Sequence, residues 1–321
     1  MTPSISQSIS ATRFPLILGP VLIHCGDHFQ QTAYNLFFSE IVGRITVPLF
    51  FVISGYLFFQ KYDGSWEDYK KKLKNRIHSL LIPYILWNLL AFIFYWIIGK
   101  TDPSQFYQSF WSVCYHGGHS PADGPLWFLR TLILILPIVP IIYWWNCHKL
   151  GWLSVVAYFC LFSEFNVFNS GSVIGVICFN LGTFLALNEE MIVDKLRKYQ
   201  KYIFSSAWVL FIILTFVYIY QSEPNKWMLM TIISNGAIIF MIMPQYLNER
   251  INNFMKGLSK YSFFIFCFHE PLVSYMSKIN SNIFGDANIG YTTTVICITT
   301  ICILVYKLCP HKVLQLLCGG R

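Results

Sequence analysis

Two residues of the first hydrophobic stretch, Arg13 and His24 in RFPLILGPVLIH, are of types that do chemistry. An imidazole, with an ordinary pKa of about 6.5, takes and returns protons near neutrality. A guanidinium holds phosphates and carboxylates through charge-assisted hydrogen bonds. In a helix, eleven positions at about 100° each bring the two side chains within about 20° of one face, about 16 Å apart along the axis. Both groups are expensive inside a bilayer, and such intramembrane groups are functional-site candidates by default. The plainer reading is that Arg13 snorkels to the interface and His24 caps the outer end. On this stretch alone the two readings balance.

Other apolar stretches carry groups of the same kind. GRITVPLFFVISGYLFF has Arg44 near one end, and Pro48 cannot donate to the Arg44 carbonyl. Its Ser54, Gly55 and Tyr56 lie deeper; in isolation a Ser-Gly pair reads as close helix packing. GPLWFLR brings Trp127, ordinary material for an interfacial aromatic belt, and Arg130 a turn deeper. YSFFIFCFHEPL places His269 and Glu270 in mid-segment. A solvated polar cavity is the simplest arrangement that accommodates His24, Arg44, Arg130, His269 and Glu270 together. A metal centre is the weaker alternative. His24 and His28 are four apart, the spacing that presents two imidazoles on one helix face, and His116 and His119 form a loop pair. No acidic ligand stands at a recognised zinc spacing, and His78, His148 and His311 fall on the opposite side, so no metal is expected. Glycine-rich phosphate loops, Ser–His–Asp order signals and nucleic-acid modules are absent.

The elements that must position these residues are membrane helices. Of 321 residues, 55% are hydrophobic and 12% charged, with a mean hydropathy of +0.51; a soluble domain has about 25% charged residues. Apolar runs long enough to span, or nearly so, fall at 12–28, 41–59, 79–99, 125–145, 151–165, 171–187, 203–221, 227–247, 261–278 and 289–308. The expected fold is all-α, a polytopic bundle of about ten transmembrane helices, with 151–165 and 171–187 the short ones. With the N-terminus inside, the inner segments carry nearly every cation outside the spans, and the outer loops only Lys100, Lys226 and Lys278. That asymmetry predicts an N-in, C-in, multi-pass protein of the cytoplasmic membrane. The net charge of +8 therefore sets topology and attracts anionic headgroups or phosphates, without implying nucleic acid. MTPSISQSIS has neither a basic n-region nor a cleavage site, so no signal peptide is expected. Most of the ten cysteines sit in apolar runs and show no CxxC, which argues against a disulfide framework.

The loop between the second and third spans is more than a connector. Ser65 and Asp68 read as a capping box, with Tyr69, Leu73, Ile77 and Leu80 at helical spacing behind it. Lys70, Lys71, Lys72, Lys74 and Arg76 fill much of the other face, making a basic amphipathic helix suited to lipid headgroups or to a phosphate-binding rim. The segment 188–202 mixes charge signs and reads as an interfacial face. The segment 100–124, rich in Gly, Pro and Ser, reads as an irregular outer cap. With no repeat and no appended soluble domain expected, residues 1–321 form one domain, whose chemistry must lie in the bundle and its loops.

In sum these marks resemble the integral-membrane acyltransferase 3 family, whose bacterial members include surface-glycan O-acetyltransferases. The matching pieces run in order along nearly the whole chain. They are Arg13 with His24; FFVISGYLFF from Phe50 to Phe59; the basic run ending in Arg76, with Pro83; PLWFL from Pro125 to Leu129; and Ser262 with His269, Glu270 and Pro271. Three departures stand out. Pro15 and Pro20 interrupt the first span, Arg130 stands where one branch has a carboxylate, and Lys72 and Arg76 replace closely spaced arginines.

The resemblance implies transfer of an acyl group, usually acetyl, from cytoplasmic acyl-CoA to a hydroxyl of an outer or lipid-linked glycan. His24 then matches the family's essential histidine and Arg13 its partner. Arg13, Lys72, Arg76, Ser54, Gly55 and Tyr56 would bind the donor. Arg44, Trp127, Arg130, His269 and Glu270 would hold the acceptor or stabilise an oxyanion. His24 acts either as general base or as a transient acyl carrier. Acyl-CoA is a co-substrate rather than a resident cofactor; membrane lipids are partners, and a homo-oligomer is compatible with the sequence. The competing class is a transporter or flippase for an anionic lipid-linked saccharide, which would use the same arginines without needing Arg13 and His24 together.

Overall fold

A computed structural model describes residues 5–100, 102, 104, 121–148, 150–154, 156–157, 171–189, 194–221 and 225–320. Helix is the only regular secondary structure among them. The main elements are α1 (Ile5–Gly26), α2 (Ala33–Phe59), α3 (Trp66–Ile97), α4 (Gly124–Cys147), α5 (Gly171–Leu187), α6 (Asp194–Lys198), α7 (Gln200–Tyr220), α8 (Lys226–Gln245), α9 (Glu249–Leu258), α10 (Ser262–Ile283), α11 (Ala287–Leu308) and α12 (His311–Leu317). By length and composition, α1, α2, α3, α4, α7, α8 and α11 are apolar enough to cross a bilayer, and α5 is a shorter apolar helix. The chain is thus a helical membrane bundle. Most of the expected span at 151–165 lies outside the described residues, as do most of the 100–124 cap and both His116 and His119.

α1 continues unbroken through Pro15 and Pro20, so the prolines do not cost the Arg13–His24 register. It ends at Gly26, which leaves His28 exposed in the following turn. The expected pairing of His24 and His28 on one helix face therefore does not form. Ser65 accepts a hydrogen bond from the Asp68 N–H at 3.0 Å, as the capping pattern requires. The basic helix behind it is not a separate interfacial element. It runs through a π-type stretch at Ile77–Leu81 into the third span, so Arg76 is carried on a continuous 66–97 rod.

The other helices pack by small residues and polar self-sufficiency. Gly55 of α2 faces the Phe179 carbonyl of α5, and Gly182 of α5 faces the Val52 carbonyl, so any Cβ at either position would collide with backbone. Polar side chains inside the bundle mostly bond their own helix: Thr131 donates to the Trp127 carbonyl, Thr183 to Phe179, Thr294 to Gly290 and Asn235 to Thr231. In a lipid environment each such bond satisfies a donor that has no water to turn to.

Candidate active site

One cavity of about 740 Å³ runs through the bundle, lined by residues of α1, α2, α3, α4, α5, α8 and α10. α1 contributes Arg13, Ile17, Pro20 and His24, so the face predicted from the 3.6-residue repeat is the face turned to the cavity. α1 touches α9 and the Ser259–Tyr261 turn as well as α10, and His24 meets Glu270, so α1 and α10 run in the same sense. Their charged and titratable residues therefore sort into two ends.

At the first end Arg13 and Arg76 both line the cavity, close enough for their charges to act on each other. The Arg76 guanidinium lies 5.8 Å from the centre of the Phe58 ring. Ser54 also lines the cavity. The other expected donor residues are placed elsewhere. Gly55 turns to α5, and Tyr56 is buried beside Ile9, Leu16 and Ile53. Lys72 does not reach the lining: its Nζ donates to the Phe58 carbonyl at 2.9 Å, lies 3.8 Å from Asp68 and sits over the Phe58 and Tyr62 rings.

At the second end His24 Nδ1 stands 3.5 Å from Glu270 Oε2, with the two side chains 31% and 27% exposed. A carboxylate facing Nδ1 favours the tautomer protonated there, leaving the Nε2 lone pair available. The His269 ring centre is 5.5 Å from that of His24. His269 is fully buried, and its Nδ1–H donates to the carbonyls of Phe266 (2.8 Å) and Ile265 (3.0 Å). Its tautomer is thereby set, so the buried Nε2 is an acceptor and has no hydrogen-bond partner. In the neutral ring, Nε2 cannot stabilise an oxyanion by donation; His269 acts as an acceptor next to His24. Single ligand atoms of His24, His269 and Glu270 lie within 4.8 Å of one another. These are metal-binding residue types, and Glu270 also faces His24 Nδ1.

Arg44 lines the cavity near this end, since Gly43 abuts Ile23. Its Nη2 is 2.5 Å from Glu40 Oε2, an i,i+4 pair that offsets its charge. Trp127 lines the wall, while Arg130 is buried in α4 and does not. A further carboxyl, Asp123, is 1% exposed, with neither oxygen hydrogen-bonded; its N–H donates to Asn88 Oδ1 at 3.3 Å. Burial first, and the charge of Glu270 second, push this carboxyl well above the ordinary carboxylate range. Glu40, Asp123 and Lys260 were not singled out by sequence reasoning. Glu40 had a signal, its four-residue offset from Arg44; Asp123 in DGPLW looked like a turn residue.

The geometry defines a class: a helical membrane bundle with an internal cavity that has cations at one end and a His–Glu pair at the other. The family model described as an acyltransferase domain matches residues 7–307, and the chain belongs to this acyltransferase 3 family: it is a multi-pass membrane acyltransferase. It is 25% identical over 304 residues to the succinoglycan biosynthesis protein ExoH of Rhizobium meliloti (strain 1021), covering 85% of this chain and 80% of that one. No solved structure matches it.

Proposed function

We propose that the protein transfers an acyl group, acetyl as the simplest case, from cytoplasmic acyl-CoA to a hydroxyl of a glycan on the outer side, with His24 as general base. The observation that carries this reading is a cavity that has Arg13 and Arg76 at one end and His24 at the other. A transporter of anionic saccharides has no need of a base held by a carboxylate at 3.5 Å. The cation asymmetry supports a cytoplasmic position for the Arg13 end, on the side where acyl-CoA is found.

In this reading CoA phosphates rest against Arg13 and Arg76, and the pantetheine arm, comparable in length to the Arg13–His24 rise, extends along the cavity. The thioester carbonyl arrives beside His24. The acceptor O–H attacks that carbon while His24 Nε2 takes its proton. Glu270 stabilises the imidazolium so formed. The tetrahedral intermediate collapses with cleavage of the C–S bond, and the departing thiolate takes the proton from His24, so ester and free CoA leave with every proton accounted for. His269 Nε2, an acceptor in the neutral ring, does not suit the oxyanion. The name of the Rhizobium relative supports an exopolysaccharide as acceptor. The test is mass spectrometry of surface glycans from cells with the gene, without it, and with His24→Ala. Acetyl esters present only with the wild-type protein support the reading, and an unchanged ester content removes it.

A further inference from the structure

Ser262 and Lys260 were assigned no role above, yet both line the same cavity at its Arg13 end, in the turn that opens α10. Ser262 is 7% exposed, and its Oγ is buried with no hydrogen-bond partner. Most other hydroxyls in the bundle bond a carbonyl of their own helix, as neighbouring Ser259 does by donating to the Lys256 carbonyl at 2.7 Å. A buried, unmet hydroxyl carries a desolvation penalty unless a ligand meets it. Three of the cavity's four lining cations, Arg13, Arg76 and Lys260, belong to this end, and no acidic residue is among the described lining residues. Like charges gathered without a counter-charge raise one another's energy, and a multiply charged anion relieves that repulsion.

We propose that Ser262 and Lys260, with Arg13 and Arg76, form a diphosphate subsite, the seat of the pyrophosphate bridge of CoA; this deepens the acyl-CoA reading and rests on it. The bridge carries two negative charges and several acceptor oxygens, which match the cations and the Ser262 hydroxyl. Connectivity selects the bridge over the 3′-phosphate. The pantetheine arm that must reach His24 is attached directly to the bridge, whereas the 3′-phosphate lies on the ribose, on the far side of it from the thioester. The group at the cavity's cation end is therefore the bridge.

The experiment is binding of CoA, dephospho-CoA and pantetheine to purified full-length protein in zwitterionic nanodiscs, comparing wild type with Lys260→Gln and Ser262→Ala. The proposal expects Lys260→Gln to weaken CoA and dephospho-CoA alike, by about tenfold, and Ser262→Ala by a few-fold. Pantetheine, which lacks phosphate, binds wild type and variants equally weakly. A Lys260→Gln loss confined to CoA assigns Lys260 to the 3′-phosphate and overturns the subsite. Unchanged binding in both variants, with Arg76→Ala still impaired, overturns it while leaving the donor reading intact. Absence of CoA binding by folded wild-type protein removes the donor reading itself. Nanodiscs containing phosphatidylglycerol separate the other source of phosphate: if that lipid displaces CoA from wild type but not from Lys260→Gln, the subsite belongs to a headgroup and the proposal falls.

Discussion

His24 Nδ1 faces Glu270 Oε2 across 3.5 Å, joining the first long helix of the chain to one that begins more than two hundred residues later. The separation is longer than a full hydrogen bond. Glu270→Gln keeps the shape and removes the charge. It should lower kcat by about a hundredfold with little change in the KM for acyl-CoA, the pattern of a group that acts on the transition state. A proportional rise in KM with unchanged kcat would reassign Glu270 to substrate binding.

The donor end permits a separate measurement. Arg76→Ala removes a guanidinium from the cavity lining and should weaken acyl-CoA binding about tenfold in detergent. Binding by wild type should fall as salt rises, since the cavity mouth is open to solvent ions. Lys72→Ala makes the contrast: its ammonium is already engaged by the Phe58 carbonyl and Asp68, so affinity should stay close to wild type.

What the sequence disclosed was whatever depends on periodicity. Arg13 and His24 fall on one cavity-facing side because α1 stays helical between them, through Pro15 and Pro20. The Ser65 cap was equally legible, being local. Partnerships across helices were not. Nothing near Gly55 announces that its missing side chain answers the Phe179 carbonyl on another helix. Nor does anything near Lys72 show that the Phe58 carbonyl lies within its reach. His28 was misplaced on a helical face for a related reason: the spacing is right, but α1 stops at Gly26.

Gly55 supplies a stability test that leaves the chemistry out. Gly55→Ala drives a Cβ into the Phe179 carbonyl, which as backbone cannot rotate away. The α2–α5 contact must open, at about 1–3 kcal/mol, seen as a lower melting temperature in detergent. Folded protein of this variant should still bind acyl-CoA. Wild-type stability combined with lost CoA binding would instead make Gly55 part of the donor site.

Asp123 yields a pH dependence. With its folded carboxyl pushed well above the ordinary range, the native state stays protonated at pH values where the unfolded chain has ionised. Its contribution to stability is thus fully present below the ordinary carboxylate pKa and is lost as pH rises towards the folded value. Asp123→Asn, neutral throughout, should melt close to wild type near pH 4 and above it near pH 8. A gap that is constant or reversed across that range would show that Asp123 is ionised in the folded protein.

Sidedness is open to chemical labelling. Single cysteines at Asp63, in the turn between α2 and α3, and at Gly285, in the exposed turn between α10 and α11, probe opposite faces in a background lacking native cysteines. Gly285 has open space around an added side chain, so the probe does not disturb packing. In intact cells an impermeant reagent should label position 285 and spare 63 until the membrane is opened. The reverse pattern would place the Arg13 end outside and separate it from cytoplasmic acyl-CoA.

His24 itself decides between direct attack and an acyl-enzyme. Its imidazole lines the cavity and faces the Glu270 carboxylate. His24→Ala should abolish transfer while acyl-CoA still binds, because the Arg13 end, proposed for the donor phosphates, lies about three helical turns away. His28→Ala should retain most activity, since His28 lies in the exposed turn beyond α1. Exhaustive chelation should leave wild-type turnover unchanged; loss of turnover restored by zinc would instead make His24, His269 and Glu270 a metal centre. To separate the two chemistries, enzyme is mixed with labelled acyl-CoA in the absence of acceptor and quenched. Direct attack needs the acceptor hydroxyl for any bond to the carbonyl carbon, so no label should remain on protein. Covalent label on His24, released when acceptor is added before the quench, would establish the acyl-histidine route in its place.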